Sequence, residues 1–164
     1  MIPDELAVEL SRELSGRVVY MGIGNILRGD DAIGPEMSHR LSRMGMKAVD
    51  SGTVPENYVG SVVRQRPDTV VIIDAVHLDG EPGRIELLSK EDLAAGVGFT
   101  THTLSPRLVM ERLEQETGAK VLLLAIQPKS LEFGAPMSPE IQRVLVELPQ
   151  VLALQGRDGT SGRH

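Results

Sequence analysis

Two adjacent carboxylates, Asp30 and Asp31, lie in a glycine-rich segment, YMGIGNILRGDDAIG, near the start of the chain. The segment follows a short hydrophobic run at residues 18–20 and precedes a helical pattern. Gly22 and Gly24 allow a sharp turn, because glycine has no Cβ and tolerates positive φ. Helix capping or the helix dipole explains one acidic residue there and leaves the second unexplained. We therefore interpret the segment as a loop that presents both carboxylates rather than burying them.

A third carboxylate and an imidazole follow other apolar runs. Asp74 comes directly after the β-branched run at residues 69–73, and His102 lies in the segment FTTHT before a predicted helix. Two carboxylates and an imidazole form an O,O,N ligand set that suits a divalent metal ion. His77 is the alternative ligand, because it lies three residues after Asp74. The alternatives to a site role are a turn for Asp74 and a structural hydrogen bond to neighbouring threonines for His102.

A dinucleotide-binding loop is an alternative interpretation of the same glycines. Gly22 and Gly24 match two positions of that fingerprint, and Asp50 closes a second predicted strand, roughly where a ribose-binding acid is expected. However, the third glycine position is Leu27, and a pyrophosphate requires bare N–H groups rather than two nearby anions. Nucleotide binding through this loop is therefore the weaker hypothesis.

The composition excludes several classes of protein. The chain has 164 residues, 41% hydrophobic content, no cysteine and a net charge of −6. The charge argues against a nucleic-acid binder, and the absence of cysteine excludes disulfides and thiolate chemistry. No apolar run approaches the ~20 residues of a membrane span, and the N-terminus lacks a signal-peptide pattern. We expect a cytoplasmic monomer that binds no nucleic acid and does not insert into membranes.

Alternating strand and helix patterns predict an α/β fold, a three-layer α/β/α sandwich with a mostly parallel, mixed sheet of about five strands. The runs at residues 69–73 and 121–126 predict central strands, because both read as buried on two faces. The strand at residues 84–88 is expected at or near an edge, and the short connection before it allows an antiparallel direction. Sites in such folds lie beyond the carboxyl ends of the strands. Asp31, Asp74 and His102 are therefore expected at one edge of the sheet.

The remaining elements complete one domain over residues 1–157, with residues 1–16 as a helical extension. Strands are also predicted at residues 17–21 and 47–50, and helices at 3–14, 32–44, 56–66, 105–118 and from 138 onward. Pro149 is expected to kink or end the last helix. Residues 158–164 are expected to form a disordered tail.

Several separated motifs resemble the endopeptidases that mature NiFe hydrogenases. The motifs are GNILRGDDAIG at 24–34, IDA at 73–75, PGRI at 82–85, TH at 101–102 and AIQP at 125–128. The resemblance covers roughly residues 17–149. It implies an endopeptidase that removes the C-terminal extension of a hydrogenase large-subunit precursor after nickel has been inserted. That precursor is the implied partner.

The resemblance also implies a site. In that family, an acidic residue of the first loop, the Asp after the central strand and a His contact the metal. By motif, this catalytic and metal-contacting trio falls on Asp31, Asp74 and His102. The residues expected to shape the loop or contact the substrate are Gly22, Gly24, Asn25 and Asp30.

The chemistry of the trio leaves two mechanisms open. The chain has no GxSxG elbow, no cysteine and no HExxH helix, so the usual peptidase nucleophiles are absent. The cluster could hold nickel that polarises a carbonyl or activates water, or it could recognise nickel already seated in the substrate. The enzyme is therefore expected to be an aspartic-type or nickel-dependent hydrolase. A non-catalytic metal chaperone is the remaining alternative to an enzyme.

Overall fold

The computed structural model describes residues 2–94 and 106–161, with side chains described as far as residue 155. Within these residues, the chain forms a five-stranded sheet with helices on both faces. No helix in the described part of the chain is long and apolar enough to cross a membrane.

The sheet is mixed and mostly parallel. Its strands are β1 Val18–Gly22, β2 Ala48–Asp50, β3 Thr69–Ala75, β4 Ile85–Leu88 and β5 Lys120–Ile126. They lie in the order β2-β1-β3-β5-β4, and only β4 is antiparallel to its neighbour. The predicted sheet is confirmed, including the central position of residues 69–73 and the antiparallel edge strand. β3 lies between two parallel neighbours, which explains its unbroken apolar run.

In the described ranges, six helices and two short 3₁₀ turns connect or flank these strands. The helices are α1 Asp4–Glu13, α2 Ile33–Arg43, α3 Val59–Arg64, α4 Lys90–Ala94, α5 Pro106–Thr117 and α6 Pro139–Ser161, and the 3₁₀ turns are Gly29–Ala32 and Pro55–Tyr58. The sequence analysis did not predict α4. Pro149 was predicted to kink or end the last helix. It does not end the helix, because α6 continues through it. This helix includes residues 158–161 of the predicted tail, and the rest of that tail lies outside the described residues.

Two apolar cores lie on opposite faces of the sheet. Alternate strand residues point to opposite faces. Val70 and Ile72 of β3 therefore pack with α3 and α5, whereas Val71 and Ile73 pack with α1, α2 and α6. The two cores confirm the predicted three-layer sandwich. They also hold the carboxyl ends of β1 and β3 side by side, because Gly22 pairs with Ile73.

Candidate active site at the carboxyl ends of the central strands

The loop after β1 packs directly against the first turn of α2. A Cβ added to Gly22 would lie 2.1 Å from the carbonyl oxygen of Gly34, and a Cβ on Gly24 would lie 1.9 Å from the carbonyl oxygen of Asp31. Only glycine fits these two positions, and Gly24 also has a φ of +153°. Protein backbone fills the space that these residues leave. Close packing of the loop therefore explains both glycines without a nucleotide.

Asp31 lies in the 3₁₀ turn that leads into α2 and is half-buried. The backbone N–H of Asn25 donates a hydrogen bond of 2.7 Å to Oδ2 of Asp31. The side chain of Asn25 accepts a bond of 2.9 Å from the N–H of Leu27, which fixes the turn between them. Asn25 thus bridges the turn and holds one oxygen of Asp31 in place. This bond fixes the carboxylate at the carboxyl end of β1.

Asp30 is in the opposite environment, because its side chain is only 1% exposed. Its carboxylate accepts four hydrogen bonds, from the backbone N–H groups of Lys129, Ser130 and Ser138 and from the hydroxyl of Ser138, at 2.7–3.2 Å. The expectation that the loop presents both carboxylates is therefore wrong for Asp30. Its physical role is to tie the loop to the start of α6.

Asp74 is the second-to-last residue of β3 and is 3% exposed. By the strand alternation, its side chain lies on the same face as Ile72, the face that α3 and α5 cover. Burial raises the pKa of Asp74 well above its usual value, and the negative charge of Asp31 raises it further. The N–H of Ala75 opposes this shift through a hydrogen bond. Asp31 and Asp74 are therefore close enough for their charges to interact.

His102 and its segment, residues 99–103, lie outside the described residues. The alternative ligand His77 is half-buried, and its Nδ1 lies 3.4 Å from the side-chain amide nitrogen of Gln127. In the described ranges 2–94 and 106–161, no three Asp, Glu or His side chains converge closely enough to hold a metal ion. His77 therefore does not complete a set of ligands with Asp31 and Asp74.

Gln127 is a buried residue of this region to which the sequence analysis gave no role. Its side-chain oxygen accepts a bond from the N–H of Leu78, and its backbone N–H donates to the carbonyl of Arg84 at 2.8 Å. Its own carbonyl accepts from the N–H of Gly83 at 2.8 Å. Gln127 therefore joins the loop after Asp74 to β4 and β5. The motifs PGRI and AIQP meet at these hydrogen bonds. The presence of both motifs in the sequence was the signal that could have indicated a role for Gln127.

The fold and the site define an α/β enzyme of the three-layer class, with paired carboxylates at the carboxyl edge of its central strands. A family model for hydrogenase maturation proteases, HycI, matches residues 32–154, which is most of the chain. The chain belongs to the HycI family of hydrogenase maturation proteases. The resemblance seen in the sequence motifs is thereby confirmed.

Individual relatives agree with the family match. The chain is 29% identical to the hydrogenase 3 maturation protease of Escherichia coli over 147 residues, which cover 88% of this chain and 92% of that protein. The crystal structure of a NiFe hydrogenase maturation protease HycI from Thermococcus kodakarensis is similar, with a TM-score of 0.77, 31% identity and coverage of 88% and 99%. The solution structure of the endopeptidase HycI from Escherichia coli has a TM-score of 0.74, 28% identity and coverage of 88% and 92%.

Membership of this family makes the chain an endopeptidase, and thus a hydrolase, that acts in hydrogenase maturation. The predicted class of enzyme is confirmed. The family uses nickel, and its activity implies a hydrogenase large subunit as substrate.

Proposed function

We propose that this protein removes the C-terminal extension of a NiFe-hydrogenase large-subunit precursor after nickel insertion, and that Asp31, Asp74 and His102 contact the nickel seated in that substrate. The nickel belongs to the substrate and is not a resident cofactor of the protease. Cleavage would then report that the metal has been inserted correctly.

The proposal depends above all on the buried carboxylate of Asp74 beside Asp31. Burial and a neighbouring negative charge both disfavour ionisation of Asp74, so the folded protein keeps an unfavourable arrangement of two acids. Such arrangements are concentrated at functional sites. A cation between the two carboxylates would relieve the repulsion. The donor chemistry of the site therefore fits a divalent ion brought by the substrate.

The sequence position of His102 supports its inclusion in the trio. His102 precedes the first residue of α5, Pro106, by four positions. α5 packs on the face of the sheet to which Asp74 points. An imidazole contributed from the start of α5 would complete an O,O,N set for nickel.

Asp74 also offers a way to couple substrate recognition to proton movement. Because its pKa is raised, Asp74 holds a proton at a higher pH than an exposed aspartic acid does. A cation close to the carboxylate would favour the ionised form and release this proton. Hydrolysis adds water to the peptide carbonyl and delivers a proton to the leaving amine. A proton released from Asp74 on binding of nickel-loaded precursor is available to that amine, and the proton that the attacking water loses replaces it on Asp74 when the product leaves.

The test is cleavage of the precursor by purified variants. We expect Asp31→Asn, Asp74→Asn and His102→Ala to lower the rate of processing of nickel-loaded precursor by at least about 100-fold, the usual scale for acid–base groups. The two Asn substitutions keep the side-chain volume and remove the charge. The readout is the discrete loss of mass from the precursor, and circular dichroism checks that each variant is folded.

Two controls sharpen this test. Asp79→Asn removes an exposed carboxylate from the loop after β3 and is expected to leave processing unchanged. His77→Ala separates the two candidate histidines, because it should retain processing that His102→Ala loses. Equal cleavage of nickel-free and nickel-loaded precursor would contradict nickel recognition. Nickel binding without any cleavage would contradict the proposed removal of the C-terminal extension.

A further inference from the structure

Three large apolar side chains are displayed to solvent on two neighbouring loops beside the site. Ile26 is 62% exposed, Leu27 is 55% exposed and Phe133 is 71% exposed. We call these three residues the apolar rim. The whole chain contains only 2 phenylalanines and no tryptophan, and one of the phenylalanines is on this rim. Single exposed apolar residues are common on protein surfaces, but several of them together, with an aromatic residue among them, mark a surface that binds another molecule.

The two loops that carry the rim are bound firmly to each other. The N–H of Gly134, next to Phe133, donates to the carbonyl of Leu27 at 2.8 Å. The side chain of Arg28 donates to the carbonyl of Leu131 at 3.2 Å. The four hydrogen bonds to Asp30 join the same two loops from beneath. These hydrogen bonds keep the two loops from rearranging to bury the apolar rim. The rim therefore stays exposed to solvent.

The rim is also continuous with the candidate active site. Asn25, whose N–H binds the carboxylate of Asp31, is the residue before Ile26. Consecutive Cα atoms are about 3.8 Å apart. The rim thus begins within one residue of a direct contact to Asp31. The loop that carries Ile26 and Leu27 is therefore the loop that holds the carboxylate of Asp31 in place.

We infer that the apolar rim binds an apolar, extended stretch of the precursor polypeptide that adjoins the bond to be cut. This inference rests on the proposed function, because it assigns the same substrate to a second surface. The alternative occupant is a second copy of this chain. A copy held permanently on the rim would cover the approach to Asp31 and obstruct the substrate. The location therefore favours the substrate polypeptide.

The experiment measures KM and kcat separately for the cleavage of nickel-loaded large-subunit precursor. The variants are Ile26→Ser, Leu27→Ser, Phe133→Ser and the triple substitution, all of which keep the backbone hydrogen bonds of the loops. We expect a several-fold rise in KM for each single variant and about a tenfold rise or more for the triple, the scale of central interface residues. The value of kcat should stay within about twofold, because uniform binding is lost without a change in the chemical step.

The matched control is Leu154→Ser. Leu154 is an apolar side chain of similar exposure, 57%, on α6. It lies near Leu152, which lines a cavity with Val18 at the start of β1 and therefore at the opposite end of the sheet. We expect its KM and kcat to match those of the unsubstituted protein. Melting temperatures of all variants should agree closely with that of the unsubstituted protein, because the substituted side chains are exposed.

The possible outcomes separate this inference from the proposed function. If the unsubstituted protein fails to cleave nickel-loaded precursor, the proposed function is wrong. If it cleaves normally and the triple variant has the same KM, or loses only kcat, the rim is not a substrate-binding surface. If sedimentation shows a dimer that the triple substitution dissociates while KM is unchanged, the rim binds a second copy and the inference is overturned.

Discussion

Asp30 and Asp31 are neighbours in the chain, but their carboxylates have different partners. Asp30 accepts four hydrogen bonds from residues 129–138, whereas Asp31 accepts a bond from Asn25 within its own loop. Three of the four donors to Asp30 are backbone N–H groups. The acid that remains half-exposed is the one beside Asp74. Asp30 thus supports the loop, whereas Asp31 is the neighbour to which we assign a role in the proposed chemistry.

Replacing Asp30 should cost stability before it affects chemistry. Asp30→Asn removes the charge and places a donor amide against groups that also donate. We expect the free energy of unfolding to fall by roughly 2–4 kcal/mol, because hydrogen bonds to a buried charge contribute most and unsatisfied donors are costly. Urea denaturation measures the change. Asp31→Asn is the matched comparison, and equal stability losses in the two variants would contradict the assigned roles.

Asp74 should make stability depend on pH in a defined direction. Its pKa in the folded protein is raised above the usual value of 3.8. The stabilising contribution of the protonated form is therefore complete below about pH 4 and is lost as the pH rises through the folded pKa. Asn cannot ionise, so Asp74→Asn should equal the unsubstituted protein in stability near pH 4 and exceed it at neutral pH. Melting temperatures across this range test the prediction.

The control for this pH dependence is Asp79→Asn, which removes an exposed carboxylate and should shift melting temperature little at any pH. If Asp74→Asn is less stable than the unsubstituted protein at neutral pH, the environment of Asp74 does not disfavour its ionised form, and the prediction is wrong. A stability gain combined with lost processing would instead match the exchange of stability for function at active sites.

At the scale of elements, the contact between the β1 loop and α2 depends on the absence of a side chain at Gly34. A Cβ there would lie 2.1 Å from the carbonyl oxygen of Ile23, which is backbone and cannot swing away. We expect Gly34→Ala to lower the free energy of unfolding by about 3 kcal/mol, the upper range for overpacking. Within a helix, replacing glycine by alanine usually raises stability, so the expected loss at Gly34 has the opposite sign.

Gly60 in α3 provides the matched comparison, because the nearest atom to its added Cβ is a side-chain nitrogen of Arg64 at 3.6 Å. Gly60→Ala should raise the free energy of unfolding by about 0.5–1 kcal/mol through the better helix propensity of alanine. Urea denaturation of both variants tests the pair. A stabilising Gly34→Ala substitution would show that the loop can move away from α2.

At the scale of the whole molecule, most of the architecture was predictable from apolar patterning. The β-branched run of β3 required burial on both faces, and the short connection before β4 allowed an antiparallel edge. The short helix α4 was missed because five residues give too little periodicity. The passage of α6 through Pro149 was missed because local propensity disfavours it, while Leu148 and Leu152 on either side pack into the core.

The site was predictable only in part. The unusual environment of Asp74 could be anticipated because a carboxylate follows a buried apolar run, and its raised pKa results from the same position. The structural role of Asp30 could not be identified, because backbone N–H groups carry no signal in residue types. The motifs PGRI and AIQP pointed to the region of Gln127, but its particular role was missed because its partners are backbone groups of Leu78, Gly83 and Arg84. Contacts made through side-chain type are therefore easier to predict here than contacts made through backbone.

The bonds to Asp30 also bear on how the protein is made. They connect residues separated by 99–108 positions, from Lys129 to Ser138. A nascent chain that ends after residue 127 already contains all five strands but none of the four groups that bind Asp30. The loop beside Asp31 would then lack its support, although the sheet could assemble. The nascent chain would thus gain this support only after the beginning of α6 has been synthesised, and chains truncated before that point should not cleave the precursor.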